Sequence, residues 1–233
     1  MSDTSILKKG VILLSGGMDS AVLLAYLVSL GYDLCALSFY YGQRSRREVD
    51  LAKDLASSYG VSDHWIQSIS LPWGGSSLMD STKEIAHELP QKGEVPDTYV
   101  PFRNSIFLSF ALSCAEAMGI NKVFIGANEQ DCANYPDCKK GYFDAYNALI
   151  MHAVPLGIAS VPVSIEVPFI SFYKSDIVSL GHKLGLDFSK TLSCYQAVDG
   201  IFACGSCSSC LLRRRAFELA NVADTTCYAS LCY

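Results

Sequence analysis

Six residues near the N-terminus, 15–20, have the types and spacing of a phosphate-binding loop. Their sequence, Ser-Gly-Gly-Met-Asp-Ser, follows a short apolar run. Two glycines allow a tight turn, and a helix that begins after them offers free N–H groups and its positive dipole end. The serine hydroxyls can bind phosphate, and Asp19 can hold Mg²⁺ or cap the helix. The predicted phosphate-binding residues are Leu14, Ser15, Gly16, Gly17, Met18, Asp19 and Ser20.

A simple turn is the alternative interpretation of this glycine pair. The loop matches neither the dinucleotide fingerprint nor the kinase-type P-loop with its Gly-Lys pair. Its position favours function, because open parallel sheets bind ligands at the carboxyl ends of their strands.

Four cysteines late in the chain have the spacing of a metal site. Cys194, Cys204, Cys207 and Cys210 form the pattern C-x9-C-x2-C-x2-C. Two overlapping Cys-x2-Cys steps and a fourth thiol can close a tetrahedral zinc site, which leaves no position open for catalysis. An iron–sulfur cluster also takes four cysteines and is the alternative. The spacing predicts one structural Zn²⁺.

The elements that must position these residues alternate between strand and helix. We predict strands over 10–14, 33–40, 64–69 and 122–126, and helices over 19–30, 44–59 and 103–118, the last of them buried. This order predicts an α/β fold with a doubly wound parallel sheet over residues 1–185. Residues 186–233 are predicted to form a small zinc-binding appendage packed on it. The segment 70–101 is rich in Gly, Ser and Pro, which favours a lid or binding loop.

Composition limits the classes of function. The net charge is −5, the opposite of what a nucleic-acid-binding surface needs. No apolar stretch approaches the roughly 20 residues that cross a bilayer, and the first residues lack the basic region of a signal peptide. We therefore expect a cytoplasmic protein with a small-molecule site and neither nucleic-acid nor membrane partners.

The phosphate loop resembles the pyrophosphate loop of the N-type ATP pyrophosphatases, which split ATP between the α and β phosphates and adenylate a carbonyl oxygen. With the cysteines and several further motifs, nearly the whole chain resembles the QueC family of 7-cyano-7-deazaguanine synthases. These motifs are YGQR at 41–44, TYVPFRN at 98–104, YPDC at 135–138, KSDI at 174–177 and SCY at 193–195.

This resemblance implies a carbon–nitrogen ligase that uses ATP and Mg²⁺. Its substrates would be 7-carboxy-7-deazaguanine and ammonia, and its product 7-cyano-7-deazaguanine, formed through an acyl adenylate and an amide on the route to queuosine. The family also implies a homodimer. No glutaminase domain fits in 233 residues, so ammonia would come from solution or from a partner.

The resemblance also suggests roles for polar residues. The predicted catalytic residues are Asp19, Arg103 and Lys174. Arg103 and Lys174 are the candidates for neutralising the remaining phosphate charge, and a solvated surface cation is the alternative for each. A carboxylate after the fourth strand could pair with the N–H edge of a guanine-like base, and a tyrosine could stack on it. The predicted substrate-binding residues are Tyr99, Asn104, Glu129, Asp131, Tyr135 and Asp137. The run 213–215 is predicted to be a solvated arginine face.

The sequence departs from the family pattern at Tyr40, at Ser45 and over 132–134. These departures leave alternatives open. One is a divergent enzyme that conjugates the adenylated deazaguanine carboxylate to another amine, such as one on a protein. A second is an ammonia-dependent amidotransferase of another pathway, and a third is a zinc-ribbon interaction module that keeps a nucleotide-binding fold.

Overall fold

The fold is a five-stranded parallel sheet with helices on both faces. A computed structural model describes residues 8–153 and 162–229. The strands lie in the order β3-β2-β1-β4-β5. Strands β2 and β3 are therefore added on one side of β1, and β4 and β5 on its other side. This order confirms the predicted doubly wound sheet. The strands are β1 Lys8–Leu13, β2 Tyr32–Tyr40, β3 Asp63–Ser68, β4 Lys122–Phe124 and β5 Ser164–Glu166.

Seven α-helices surround this sheet in the described part of the chain. They are α1 Met18–Ser29, α2 Arg47–Ser58, α3 Arg103–Ala117, α4 Glu129–Asn134, α5 Lys140–Ala153, α6 Lys174–Lys183 and α7 Ser208–Ala220. Short 3₁₀ turns occur at Pro136–Cys138 and Phe188–Lys190. None of the described helices has the length and the apolar composition that spanning a lipid bilayer requires.

Two apolar clusters, one on each face of the sheet, form the core. Alternate residues of a strand point to opposite faces, so Val11 joins the cluster that includes α3 and α5, and Ile12 joins the other. The second cluster contains residues of α1, α2, α6 and α7. Both faces of the sheet are therefore covered, as expected for parallel strands.

The predicted elements agree with the structure to within a few residues, with one correction. The helix over 103–118 is not buried, because Phe110 is 39% exposed and Met118 is 40% exposed. Only one side of α3 meets the sheet, and the other side faces outward. Residues 70–101 contain no helix or strand, although four of their apolar side chains are buried (Leu71, Leu78, Ile85 and Val100). The lid role of this segment stays a prediction.

The C-terminal region shares the core of the sheet domain. Phe217 of α7 packs edge-on against Phe188, with ring centroids 4.8 Å apart, and both belong to the second cluster. The division at residue 185 stays a prediction. Arg213 is only 1% exposed, so the prediction of a solvated face is wrong for this residue. Its guanidinium binds the Asp224 carboxylate and donates to the Thr191 hydroxyl.

Candidate active site

The predicted phosphate loop lies at the carboxyl end of β1, where it turns into α1. Gly16 has a φ of +78°, and a Cβ atom there would lie 2.1 Å from the backbone oxygen of Glu48. Only glycine tolerates both this left-handed backbone and this close approach to α2. The Ser15 and Ser20 hydroxyls are hydrogen-bonded to each other at 3.0 Å, so they brace the loop before any ligand binds.

Asp19 is directed into the site and does not cap α1. The N-cap position belongs to Gly17, which provides no side-chain cap. The Asp19 Oδ2 atom accepts a hydrogen bond from Lys174 Nζ at 2.6 Å. Its Oδ1 atom is buried and has no hydrogen-bond partner among the described residues. Such an oxygen is a suitable ligand for Mg²⁺, which takes one or two carboxylates together with substrate phosphates.

A second carboxylate and a buried amide complete this network. Lys174 Nζ lies 3.4 Å from Asp131 Oδ1, and the Asn128 side chain donates to Asp131 at 2.7 Å and to Asp19 at 3.3 Å. Asn128 is fully buried and also caps α4. Sequence reasoning missed this residue, although an asparagine before Glu-Gln-Asp is a typical N-cap signal.

Charges in this network shift two pKa values. Burial alone would lower the pKa of Lys174, but Asp131 and Asp19 raise it above its usual value. Burial raises the pKa of Asp131, Lys174 opposes this shift, and Asp19 adds to it. Lys174 is therefore a permanent cation held beside the phosphate loop.

Arg103 begins α3 and lies in a different environment. Its Nη1 atom donates to the Tyr41 hydroxyl at 3.0 Å, and its guanidinium stacks over the Tyr41 and Phe107 rings. No carboxylate lies within ion-pairing distance of Arg103 in the described ranges. Burial acts to lower its pKa, but Tyr41 raises the value overall. A half-buried cation that forms no salt bridge within the described ranges is available for an anionic ligand.

One cavity of about 290 Å³ joins the loop, Lys174 and Arg103. The ends of β1, β2 and β4 form its floor, and residues of α1, α2, α3, α4 and α6 line its walls. Glu48 also lines it, in the first turn of α2. Sequence reasoning overlooked Glu48, because an acid in the first turn of an amphipathic helix is ordinary.

The structure brings together some of the predicted substrate residues and not others. Asp131, Tyr135 and Asn104 line the cavity, and the Tyr135 hydroxyl lies 3.3 Å from that of Tyr195. The other three predicted residues, Tyr99, Glu129 and Asp137, do not line it. The Tyr99 hydroxyl accepts from Phe102 N, Glu129 is exposed, and Asp137 accepts from Asn104 N at the start of α3.

The four predicted metal-binding cysteines are clustered in space. The sulfur atoms of Cys194, Cys204, Cys207 and Cys210 all lie within 4.8 Å of one another. A tetrahedral zinc site with Zn–S bonds of about 2.3 Å needs sulfur atoms about 3.8 Å apart, and the Cys204–Cys210 pair is 3.9 Å apart. The geometry therefore fits one tetrahedral metal ion.

The cysteine cluster and the phosphate loop touch each other through residues 192–194. Leu192 N donates to Gly16 O at 3.0 Å, and Met18 N donates to the Ser193 hydroxyl at 3.3 Å. Cys194 follows directly and also lines the cavity. A metal ion on the cysteines would thus hold the segment that supports the loop.

A family model and several sequence relatives match most of this chain. A family model described as queuosine biosynthesis protein QueC matches residues 9–221. A 7-cyano-7-deazaguanine synthase of Nitrosospira multiformis is 45% identical over 94% of this chain and 95% of its own length. One of Saccharophagus degradans is also 45% identical, over 96% of this chain and 99% of its own length.

Among solved structures, the NMN synthetase of Francisella tularensis is similar at a TM-score of 0.48 and 15% identity, over 94% of this chain and 89% of that one. The family assignment depends on the sequence relatives and on the family model, each of which covers most of the chain. The chain belongs to the family of queuosine biosynthesis protein QueC.

Proposed function

We propose that this chain is an ATP-dependent ligase that converts 7-carboxy-7-deazaguanine and ammonia to 7-cyano-7-deazaguanine. One observation carries the proposal: within a chain of this family, the Ser-Gly-Gly loop opens into the same cavity as Lys174 and Arg103. The names of the relatives support the product, since both are called 7-cyano-7-deazaguanine synthase.

The proposed reaction activates one carboxylate twice. Its oxygen attacks the α-phosphorus of ATP, pyrophosphate leaves, and the acyl adenylate carries a good leaving group. Ammonia adds to the acyl carbon, AMP departs with the first oxygen, and the amine loses a proton to give the amide. The amide oxygen then attacks the α-phosphorus of a second ATP and a second pyrophosphate leaves. Loss of AMP with two protons from nitrogen gives the nitrile.

The protein contributes positioning and charge to these steps. The free N–H groups at the start of α1 and the Lys174 ammonium provide positive charge where pyrophosphate forms. Lys174 is held in place by Asp19 and Asp131, so little reorganisation is needed during reaction. Mg²⁺, when bound by Asp19, would neutralise phosphate charge. Arg103 is the second proposed phosphate cation.

The cysteine site is proposed to hold one structural Zn²⁺. Four thiolates fill a tetrahedral shell, so the ion has no position for substrate. Its proposed role is to fix residues 192–194 against the phosphate loop. The cytoplasmic location and the homodimer implied by the family are proposals as well, and sedimentation analysis of the purified protein tests the dimer.

The test is to incubate the purified protein with ATP, Mg²⁺, ¹⁵N-ammonium and 7-carboxy-7-deazaguanine. Mass spectrometry should detect a nitrile that contains ¹⁵N, together with AMP and pyrophosphate. Pyrophosphate release without a nitrile would favour the enzyme that uses another amine. No ATP turnover with this substrate would contradict the proposed function.

A further inference from the structure

Three carboxylates line the cavity, and one of them has no side-chain hydrogen bond or ion pair within the described residues. Asp19 and Asp131 are engaged by Lys174 and Asn128. Glu48 makes no side-chain hydrogen bond and no ion pair within the described residues. A carboxylate facing a cavity without a donor is an acceptor available to a ligand.

The backbone of Glu48 packs against the glycine loop. It lies in the first turn of α2, and its backbone oxygen is in close contact with Gly16. The cation that acts on its carboxyl group is Arg103, whereas Asp131 and Asp19 act on Lys174. Glu48 therefore belongs to the part of the cavity formed by Arg103 and Tyr41.

The chemistry of a carboxylate matches one kind of purine edge. A guanine-type ring presents two adjacent donors, the ring N–H and the exocyclic amino group, and the two carboxylate oxygens can accept both. The adenine ring of ATP presents an amino donor beside a ring nitrogen acceptor, which a carboxylate would repel. The free acceptor thus discriminates between the two purines that the proposed reaction brings together.

We propose that Glu48 is the specificity residue that accepts the ring N–H and the 2-amino group of the deazaguanine substrate. The inference depends on the proposed function for the identity of that substrate. It also replaces the carboxylates predicted from the sequence for this role, since Asp131 is paired with Lys174, Glu129 is exposed and Asp137 binds the start of α3.

The charge state of Glu48 provides an independent readout. Loss of hydration raises the pKa of its carboxyl group to about 8, although Arg103 opposes the shift. At neutral pH the unliganded carboxyl group is mostly protonated, and the two N–H donors of the ligand favour the ionised form. Binding should therefore release a proton and become tighter as the pH rises. The other charged or titratable groups around the cavity are Asp19, Tyr41, Arg44, Arg103, Asp131, Tyr135, Cys138, Lys174, Cys194 and Tyr195.

The first experiment measures the Kd of 7-carboxy-7-deazaguanine by calorimetry at pH 6.5 and pH 8.5, without ATP. For the wild type, one proton released from a group with a pKa near 8 makes binding roughly 25-fold tighter at the higher pH. Glu48→Gln should remove this dependence and weaken binding at pH 8.5 by at least about tenfold. Asp50→Asn removes an exposed carboxylate from the same helix and should behave as the wild type.

A substrate analogue without the 2-amino group tests the contact itself. The wild type should prefer the natural substrate by about 100-fold or more in kcat/KM, and Glu48→Gln should lose most of this preference. The KM for ATP should change less than about threefold. Thermal unfolding of the variant confirms that it is folded.

Two results would overturn the inference. If Glu48→Gln raises only the KM for ATP or for ammonium, Glu48 serves another substrate. If the preference over the analogue survives, another residue recognises the amino group. Failure of the proposed function can be told apart from failure of this inference. It would appear as the absence of nitrile with the wild-type enzyme, whereas the Kd and its pH dependence are measured without turnover.

Discussion

Replacement of Gly16 by alanine tests whether the loop between β1 and α1 acts in the conformation described. The left-handed backbone costs an L-residue about 1–2 kcal/mol. The new Cβ would lie 2.1 Å from Glu48 O, whereas ordinary contact begins at 3.4 Å. Because the oxygen belongs to the backbone of α2, the loop must move by more than 1 Å. A displacement of this size in a positioning group lowers rates by about 100-fold.

The assay is pyrophosphate release at saturating ATP and substrate, with urea unfolding measured in parallel. Gly31→Ala is a matched control, since Gly31 has a φ of +79° and nothing lies within 4 Å of its added Cβ. Both variants should lose about 1–2 kcal/mol of stability from backbone strain. Only Gly16→Ala should lose additional stability and about 100-fold in rate.

The result that refutes this reasoning is a Gly16→Ala enzyme with wild-type turnover and the same stability loss as Gly31→Ala. The close approach of the loop to α2 would then be irrelevant to phosphate binding. A similar loss of turnover in Gly31→Ala would also refute it, because strain alone would then explain the effect.

Three further predictions concern the metal site, the buried arginine and the active-site lysine. Cys207→Ser should reduce bound zinc from about one ion per chain to near zero, as measured by metal analysis, and should lower the melting temperature in calorimetry. Iron bound to the wild-type protein would contradict the zinc assignment. Arg213→Met removes the ion-pair partner of the largely buried Asp224 carboxylate, which keeps its hydrogen bonds from Thr226 N and the Tyr228 hydroxyl. This change should cost about 3 kcal/mol in urea unfolding, whereas exposed Arg215→Met should cost less than about 0.5 kcal/mol. Lys174→Met should slow adenylation by about 100- to 1,000-fold in a pyrophosphate-exchange assay. Exposed Lys183→Met in the same helix should leave that rate unchanged.

Local patterns were sufficient to predict the first half of the fold. Apolar runs that end at glycine predicted β1, β2 and the loop at Gly16, because the signal lies in neighbouring residues. The cysteine cluster was predictable for the same reason, since three of its four ligands lie within seven residues, Cys204 to Cys210. Strand β5, Ser164–Glu166, was missed because three residues are too few to show a period.

Contacts between distant residues were not predictable. Lys174 meets Asp19 across 155 positions. The KSDI motif marked this lysine as a candidate cation, but no local pattern indicates its carboxylate partners. The burial of Arg213 depends on Asp224, which lies beyond the end of α7. Glu48 looked like an ordinary helix residue, because its importance comes from the cavity and not from its neighbours in sequence.

The contact between Met18 and Ser193 also has a consequence for biosynthesis. These two residues are separated by 175 positions, so the loop emerges from the ribosome long before the segment that supports it. At about 5–20 residues per second, this interval is roughly 10 to 35 seconds. During this interval the nascent chain contains the glycine loop but lacks both Ser193 and the four cysteines of the metal cluster. The proposed ATP chemistry therefore has a fully supported loop only when synthesis is almost finished.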